Sequence, residues 1–448
     1  MNETASQPRT LVVGLGKTGF SCARYLASQG VEVAVADDRQ HPPEMDHLLE
    51  ELPEVPLFIG GFDHLVFERA QRIVVSPGVP LSTPLIEAAI ARDCEVIGDI
   101  ELFVRHASAP IVAITGSNGK STVTTLVYEM ARQAGRDVRV GGNLGTPVLD
   151  LLSETEPDLY VIELSSFQLE LVYSLQAQVA VVLNISKDHM DRYASVKAYA
   201  EAKQTVYRNS RHAIVNRDDA TAASLVDSDK IDMTYGLSKP RTDQDFGLLA
   251  LEGESWLAQG NIHLLQVARL RIAGSHNVSN SLAALALGTL LDLPMPVMLD
   301  VITTFTGLRH RTQWVAEINT IRWYNDSKAT NIGAALAAIQ GVAGPVVLIA
   351  GGQGKGADFT ELAEGIGNHL RAVVLLGEDA DKIGHALGSR VDCYYVSSME
   401  RAVAKAQSIA KSGDAVLLSP ACASFDMFAH YEARGDAFIQ AVERLIKT

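Results

Sequence analysis

The stretch AITGSNGKSTVT, residues 113–124, gathers glycines, a lysine and hydroxyls at one strand-to-helix turn. Backbone N–H groups in a turn freed by Gly116 and Gly119, together with the positive end of the helix that follows, attract phosphate oxygens. Lys120 adds a point charge, and Ser121 or Thr122 can reach a magnesium ion held on the phosphates. Ile114 stands where a full Walker A loop has its first glycine, so the match is to the shorter T-G-x-x-G-K-S/T. Magnesium needs carboxylate help. Glu163 directly follows the apolar run LYVI, and NISKDHMDRY follows the next such run with Asp188, His189 and Asp191. Groups at the C-terminal ends of neighbouring strands face the ligand crevice of an open α/β sheet. A second turn, GLGKTG at 14–19, has Asp37 at the end of the next apolar run and fits the fingerprint G-x-G-x-x-G. That pattern binds a diphosphate without saying whether the nucleotide is a nicotinamide dinucleotide. Lys203, in AYAEAKQTVY, reads by itself as the solvated face of a helix.

Three β-then-α segments are available to position these groups. In the first, Leu11–Val13 form a strand, Gly14–Gly19 a turn, Phe20–Ser28 a helix and Val31–Ala36 a second strand. This segment closes near CEVIGDIELF. The second starts with the strand before the phosphate loop and continues through LYVIEL, VAVVLNIS and a β-rich stretch around 213–272. It closes on the helix HNVSNSLAALALGTLL. The third begins near Thr306, with strands PVVLIAGG, AVVLLGE and AVLLSPA. Continuous apolar strands alternating with helices predict an α/β protein whose sheets are mostly parallel and covered on both faces. The expected domains are 1–98, 99–305 and 306–448.

With 448 residues, 47% hydrophobic and 20% charged, the chain is long enough for several cored domains. A net charge of −15 argues against a nucleic-acid partner. The four cysteines, Cys22, Cys94, Cys393 and Cys422, are scattered without metal spacing, which favours a reducing compartment. Met1–Thr10 is polar and lacks the apolar core of a signal peptide. The apolar stretch at 281–302 is interrupted by Gly288, Asp292, Pro294 and Pro296, so membrane insertion is not expected.

The strings TGSNGKST, ELSSFQLE, NISKDHMDRY, HNVSN, GLRHR and NDSKATN occur in this order, and SPACASFD follows. As an ordered set they resemble the Mur ligases of peptidoglycan synthesis, over nearly the whole chain. NDSKATN, the ELSSFQLE strand end and SPACASFD are most similar to the branch that adds D-glutamate to UDP-N-acetylmuramoyl-L-alanine. No DNPR-type string of the diaminopimelate- or lysine-adding branches is present. The resemblance implies a Rossmann-like N-terminal domain for the UDP substrate, a central P-loop ATPase-like domain and a Rossmann-like C-terminal domain for the amino acid. It implies transfer of the γ-phosphoryl group of ATP to a substrate carboxylate, then attack on the acyl phosphate by an amine. It implies ATP and Mg²⁺ as requirements and a monomer in the bacterial cytoplasm.

Residue roles are implied motif by motif. Gly116, Ser117, Asn118, Gly119, Lys120, Ser121 and Thr122 would hold the ATP phosphates. His276, Asn277 and Asn280 would lie near adenine and ribose, with Arg311 and Asp326 as further ATP contacts. Read as plain residues, Asn277 or Ser275 also suits a helix cap. Ser121, Glu163, His189 and a carbamylated Lys203 would face magnesium, and Lys120, Glu163, His189 and Lys203 would be catalytic. Lys17 and Thr18 would meet the UDP diphosphate, with Asp37 and Arg39 near uracil, Gly78 near uridine, and Asn143, Ser165 and His189 along the rest of that substrate. Lys328, Thr330, Lys355, Ser424 and Tyr431 would bind D-glutamate. Phe425 is read as core packing.

Overall fold

The computed structural model describes residues 9–446 apart from 187, 188, 190, 191, 273 and 355. Short runs rich in Val, Ile and Leu become strands buried on both faces, as parallel pairing with helical crossovers demands. They build three sheets.

The first sheet has β1 Thr10–Val13, β2 Val33–Asp37, β3 Leu57–Ile59, β4 Arg72–Val75 and β5 Glu95–Ile97, in the order β3-β2-β1-β4-β5. All four pairings are parallel. The chain reverses its direction of winding between β1 and β4, and such a switch point leaves a crevice at the strand C-termini. The helix after β1 begins at Lys17, not Phe20 as the sequence reading had it. Gly16, in extended conformation, caps it. The turn therefore needs only Gly14, Leu15 and Gly16, and Lys17 and Thr18 stand in the first helical turn. A Cβ on Gly19 would sit 1.8 Å from the Gly14 carbonyl oxygen, so only glycine lets the helix approach the turn this closely.

The second sheet contains β6 Ile111–Thr115, β7 Val138–Gly142, β8 Leu159–Glu163, β9 Val179–Val182, β10 His212–Asn216, β11 Ile231–Tyr235, β12 Phe246–Leu251, β13 Glu254–Gln259 and β14 Ile262–Gln266. Its order is β14-β13-β12-β11-β10-β9-β6-β8-β7. β6 pairs with β9 on one side and β8 on the other, both parallel, so the phosphate loop leaves the sheet at a switch point.

The third sheet contains β15 Gln313–Ile318, β16 Ile321–Asn325, β17 Val346–Ala350, β18 Leu370–Leu375, β19 Cys393–Tyr395 and β20 Ala415–Leu418, in the order β15-β16-β20-β17-β18-β19. Only β15 runs antiparallel. Its switch point lies between β17 and β20.

Two compact units emerge from the packing. One holds Met1–Leu249, Ala258–His263 and Leu282–Met298; the other holds Ala250–Leu257, Leu264–Ser281 and Leu299–Thr448. In the first unit one core runs from Val12, Phe20 and Ile97 through Phe103 to Tyr160 and Val182, and so fuses the first two sheets. In the second, the two faces of the third sheet are covered separately, around Leu348 and Ile383 on one side and Trp323 and Phe438 on the other. Among the described residues no helix is long and apolar enough to cross a membrane.

Candidate active site

The phosphate loop is held by the strand beside it. Ser117 N–H donates to the Asn184 carbonyl at 3.0 Å, and Asn118 N–H donates to Asn184 Oδ1 at 2.8 Å. Asn184 Nδ2 returns a bond to the Asn118 carbonyl at 2.9 Å, and Ser186 N–H donates to Ser117 Oγ at 2.9 Å. Gly119 adopts φ +80° and caps the helix Lys120–Gln133. Lys120 Nζ donates to the carbonyls of Gly116 and Ser117, both at 2.9 Å. The lysine thus folds back over its own loop, beside the N–H groups that would meet phosphate. Ser121 and Thr122 occupy the next two positions, half-buried.

Glu163 ends β8, in register with Ile114 of β6. It is buried. Its Oε1 accepts from Asn143 Nδ2 at 2.7 Å, while its Oε2 is buried and meets no hydrogen-bond partner among the described residues. A carboxylate oxygen left so is costly unless a ligand completes it. Asn143 is fixed in turn, its N–H donating to the Glu163 carbonyl at 2.9 Å.

Lys203 corrects the sequence reading. It is 1% exposed, not solvated. In the helix Val196–Gln204 it shares one face with Tyr199 and Ala200, the residues three and four positions before it, so the helical period had already placed it inward. Its Nζ lies 3.2 Å from Thr115 Oγ1, at the end of β6, and 4.6 Å from the centre of the Tyr199 ring. His189 adopts φ +54°, and its ring meets that of Phe167 at 4.8 Å between centres. Asp188 and Asp191 lie outside the described residues. Among the described residues no three His, Cys, Asp or Glu side chains gather as a metal cluster.

Six of the eight residues expected to hold a UDP substrate line one cavity of about 630 Å³ at the first switch point; Ser165 and His189 are not among its lining residues. Lys17, Thr18, Asp37, Arg39, Gly78 and Asn143 all face it. Asp37 is buried and accepts from Leu15 N–H at 2.6 Å and from Arg39 Nε at 2.8 Å and Nη2 at 2.6 Å. Burial alone would raise its carboxyl, but the Arg39 guanidinium and the backbone N–H groups of Leu15 and Arg39 outweigh it and hold it below the usual carboxylate range. Ser165 caps the helix Ser166–Leu169 in a reciprocal pair with Gln168. Gln168 also lines the cavity and donates to Asp99 Oδ2 at 2.9 Å.

In the second unit, Asn277 is not a cap. It is the third residue of the helix Ser275–Leu290, and its Oδ1 accepts from Asn280 Nδ2 at 3.2 Å. Asp326 follows β16 and is buried. Oδ1 accepts from Thr312 N–H at 2.9 Å and Oδ2 from Ser419 Oγ at 2.8 Å. Burial pushes its carboxyl up to about 6 despite those bonds. Arg311 is exposed between His310 and Thr312, two non-glycine residues at positive φ, 61° and 41°. Left-handed backbone at such residues is strained, and strain of this kind concentrates at functional loops.

Lys328 and Tyr431 come together, with Nζ 3.5 Å from the phenol oxygen. Thr330 is exposed two residues further on, and Ser424 is buried beyond β20. The loops after β17 and β20 pair through Gln353 and Ala423, each N–H donating to the other's carbonyl at 3.0 Å. Lys355 lies outside the described residues. Phe425, expected in the core, is 63% exposed.

The Mur ligase MurD-like N-terminal domain matches residues 8–98, the Mur ligase middle domain residues 114–288, and the Mur ligase glutamate ligase domain residues 310–422. The chain belongs to the Mur ligase family. Among its relatives, the UDP-N-acetylmuramoylalanine–D-glutamate ligase of Nitrosococcus oceani is 53% identical over 439 residues, 98% of this chain and 97% of that protein. The protein of the same name from Pseudomonas fluorescens is 53% identical over 449 residues, 99% of this chain and 100% of that one. Two solved structures share the fold. They are the UDP-N-acetylmuramate-alanine ligase of Thermotoga maritima (19% identity, TM-score 0.57, covering 98% of this chain and 100% of that one), and a UDP-N-acetylmuramoyl-L-alanyl-D-glutamate–2,6-diaminopimelate ligase (18% identity, TM-score 0.60, covering 85% and 93%).

This Mur ligase carries supporting residues that sequence reasoning missed. Arg434 is 2% exposed, with Nη1 3.0 Å from the Cys422 carbonyl, Nη2 2.8 Å from the Ser327 carbonyl and Nε 2.9 Å from Ser327 Oγ. It binds the segment before Lys328 to the segment before Ser424, and burial draws its guanidinium down to about 10. Glu101, also buried, accepts from Tyr173 N–H, Ser174 N–H and Ser174 Oγ. Nothing in the types or spacing of these residues marks them, because their partners are far away in sequence.

Proposed function

We propose that this protein joins D-glutamate to UDP-N-acetylmuramoyl-L-alanine at the expense of ATP, through an acyl phosphate, as a step of peptidoglycan precursor synthesis. The observation that carries this reading is full-length likeness to relatives that all bear that one ligase name. The site chemistry supports it. A carboxylate acylates an amine poorly because it would have to expel oxide; phosphorylation gives it a leaving group.

On this reading Gly116–Thr122 hold the ATP phosphates, with Lys120 following charge onto the transferring phosphoryl group. His276, Asn277, Asn280, Arg311 and Asp326 hold the rest of the nucleotide. Lys17, Thr18, Asp37, Arg39, Gly78, Asn143, Ser165 and His189 hold the UDP substrate, and the shared cavity of the first six supports that set. Lys328, Thr330, Lys355, Ser424 and Tyr431 receive the two carboxylates of D-glutamate, supported by the pairing of Lys328 with Tyr431 and of the β17 and β20 loops. Domains 1–98, 99–305 and 306–448 carry one sheet each, and the UDP-substrate and ATP sets each draw residues from two of them.

The residues present fit magnesium: Ser121 is the second residue of the helix after the loop, and Glu163 Oε2 is buried and uncompleted. Bound there with His189, magnesium would neutralise phosphate charge. Carbamylation of Lys203 would turn an amine into an oxygen ligand by adding carbon dioxide to Nζ with loss of a proton. The side chain's burial beside Thr115, at the end of the strand that precedes the phosphate loop, supports this. On this reading a single chain supplies every residue set, and the enzyme acts as a monomer. ATP and a nucleotide-linked sugar as substrates suit a bacterial cytoplasm.

Incubation with ATP, magnesium, UDP-N-acetylmuramoyl-L-alanine and each of D-glutamate, L-glutamate, L-alanine, L-lysine and diaminopimelate tests the reading. Phosphate release and a new amide with D-glutamate alone is the expected result. Release with another amino acid, or with none, would reject it.

A further inference from the structure

We propose that Arg192 is a positioning residue for the nucleotide-sugar substrate, bracing from behind the Pro77–Val79 turn that walls the UDP cavity. The inference rests on the substrate reading above. Arg192 is only 15% exposed at its side chain and is not among the residues lining the cavity. Its Nη1 donates to the Pro77 carbonyl at 2.8 Å, and its Nη2 to the Val79 carbonyl at 3.3 Å and to Glu170 Oε2 at 3.3 Å. The guanidinium carbon stands 4.1 Å from the centre of the Phe167 ring. One planar group therefore holds the carbonyls on either side of Gly78 against the helix that begins after Ser165.

The turn does not need Arg192 to form. Ser76 N–H donates to the Val13 carbonyl at 2.9 Å, Ser76 Oγ to the Gly14 carbonyl at 2.8 Å, and Val79 N–H to the Ser76 carbonyl at 2.9 Å. Those bonds close the turn onto β1. What Arg192 adds is the direction of the two outer carbonyls. A Cβ on Gly78 would meet nothing within 4 Å, so its backbone is open for a ligand to approach. A peptide plane free to rotate there would change which polar groups the turn presents to the uridine and would spoil the shape of the cavity wall. Lysine cannot replace the fork: it keeps the charge but loses the planar geometry, the two-carbonyl grip and the stacking on Phe167.

Steady-state kinetics on Arg192→Lys and Arg192→Ala in the full chain test this. Loss of a charge-assisted hydrogen bond predicts a KM for UDP-N-acetylmuramoyl-L-alanine raised by about tenfold or more, with kcat and the KM for ATP within about twofold of wild type. Glu170→Gln, which leaves the two carbonyl bonds in place, should give a smaller change in the same direction. It also covers the case in which the arginine variants fail to fold. An unchanged KM for the UDP substrate, or equal rises for it and ATP, would overturn the proposal by making Arg192 a general scaffold residue. Calorimetric titration of each variant with UDP-N-acetylmuramoyl-L-alanine reads the same difference without turnover. A wild-type protein that binds the UDP substrate but forms no amide would therefore defeat the function and leave Arg192 judged separately.

Discussion

Glu163→Gln should separate stability from turnover. In the free protein the change removes a buried carboxylate oxygen that meets no hydrogen-bond partner among the described residues. The remaining oxygen can still accept from Asn143 Nδ2, which stands at 2.7 Å. A buried polar group without a partner costs about 1–3 kcal/mol, and more when charged. The neutral amide recovers part of that, so a gain of about 1 kcal/mol is expected, or about 2–4 °C in the thermal midpoint of a body this size. Magnesium with a non-hydrolysable ATP analogue should reverse the order. A ligand at a hundred times its Kd stabilises the native state by about 2.7 kcal/mol, and the variant should lose most of the magnesium-dependent part. Thermal unfolding with and without magnesium nucleotide, alongside turnover, reads both effects. A free variant less stable than wild type, or one that retains wild-type turnover, would refute the reasoning.

Lys120→Ala should cut kcat by about 10²–10³-fold by removing charge beside the phosphates; near-normal turnover would show that the loop has another role. Lys328→Ala should raise the KM for D-glutamate at least about tenfold while leaving that for ATP within about twofold; equal losses would move this lysine to the nucleotide. Asp99 is fully buried, and burial raises its carboxyl to about 6 although Gln168 donates to it. A pKa raised on folding favours the native state at low pH, and the benefit disappears as pH rises through 6. Wild type should therefore gain about 1.4 kcal/mol on Asp99→Asn between pH 7.5 and pH 5, read from the difference in thermal midpoints at each pH. A pH-independent difference would mean that Asp99 does not titrate in that window.

Much of the fold was written in local pattern. Ile111–Thr115, Leu159–Glu163 and Val179–Val182 are short apolar runs followed by polar turns, and all three became adjacent parallel strands. The phosphate loop and Glu163 were legible because their chemistry depends on residue types at strand ends. Lys203 was misread from the residues alone because lysine's chemistry outweighed the helical period that set it beside Tyr199 and Ala200. Phe425 was misread for the converse reason: an aromatic side chain favours burial, yet it sits at 63% exposure in the segment after β20. Arg192, Arg434, Asp99 and Glu101 stayed invisible because their partners are other segments' carbonyls, amides and N–H groups. Such pairings exist only after the sheets have brought distant turns together.

The most direct measurement follows the oxygen. If ATP activates the substrate carboxylate as an acyl phosphate, UDP-N-acetylmuramoyl-L-alanine carrying heavy oxygen in that carboxylate must leave one labelled oxygen on each phosphate released as the D-glutamate amide forms. Phosphate that carries no label while the amide accumulates would contradict the account.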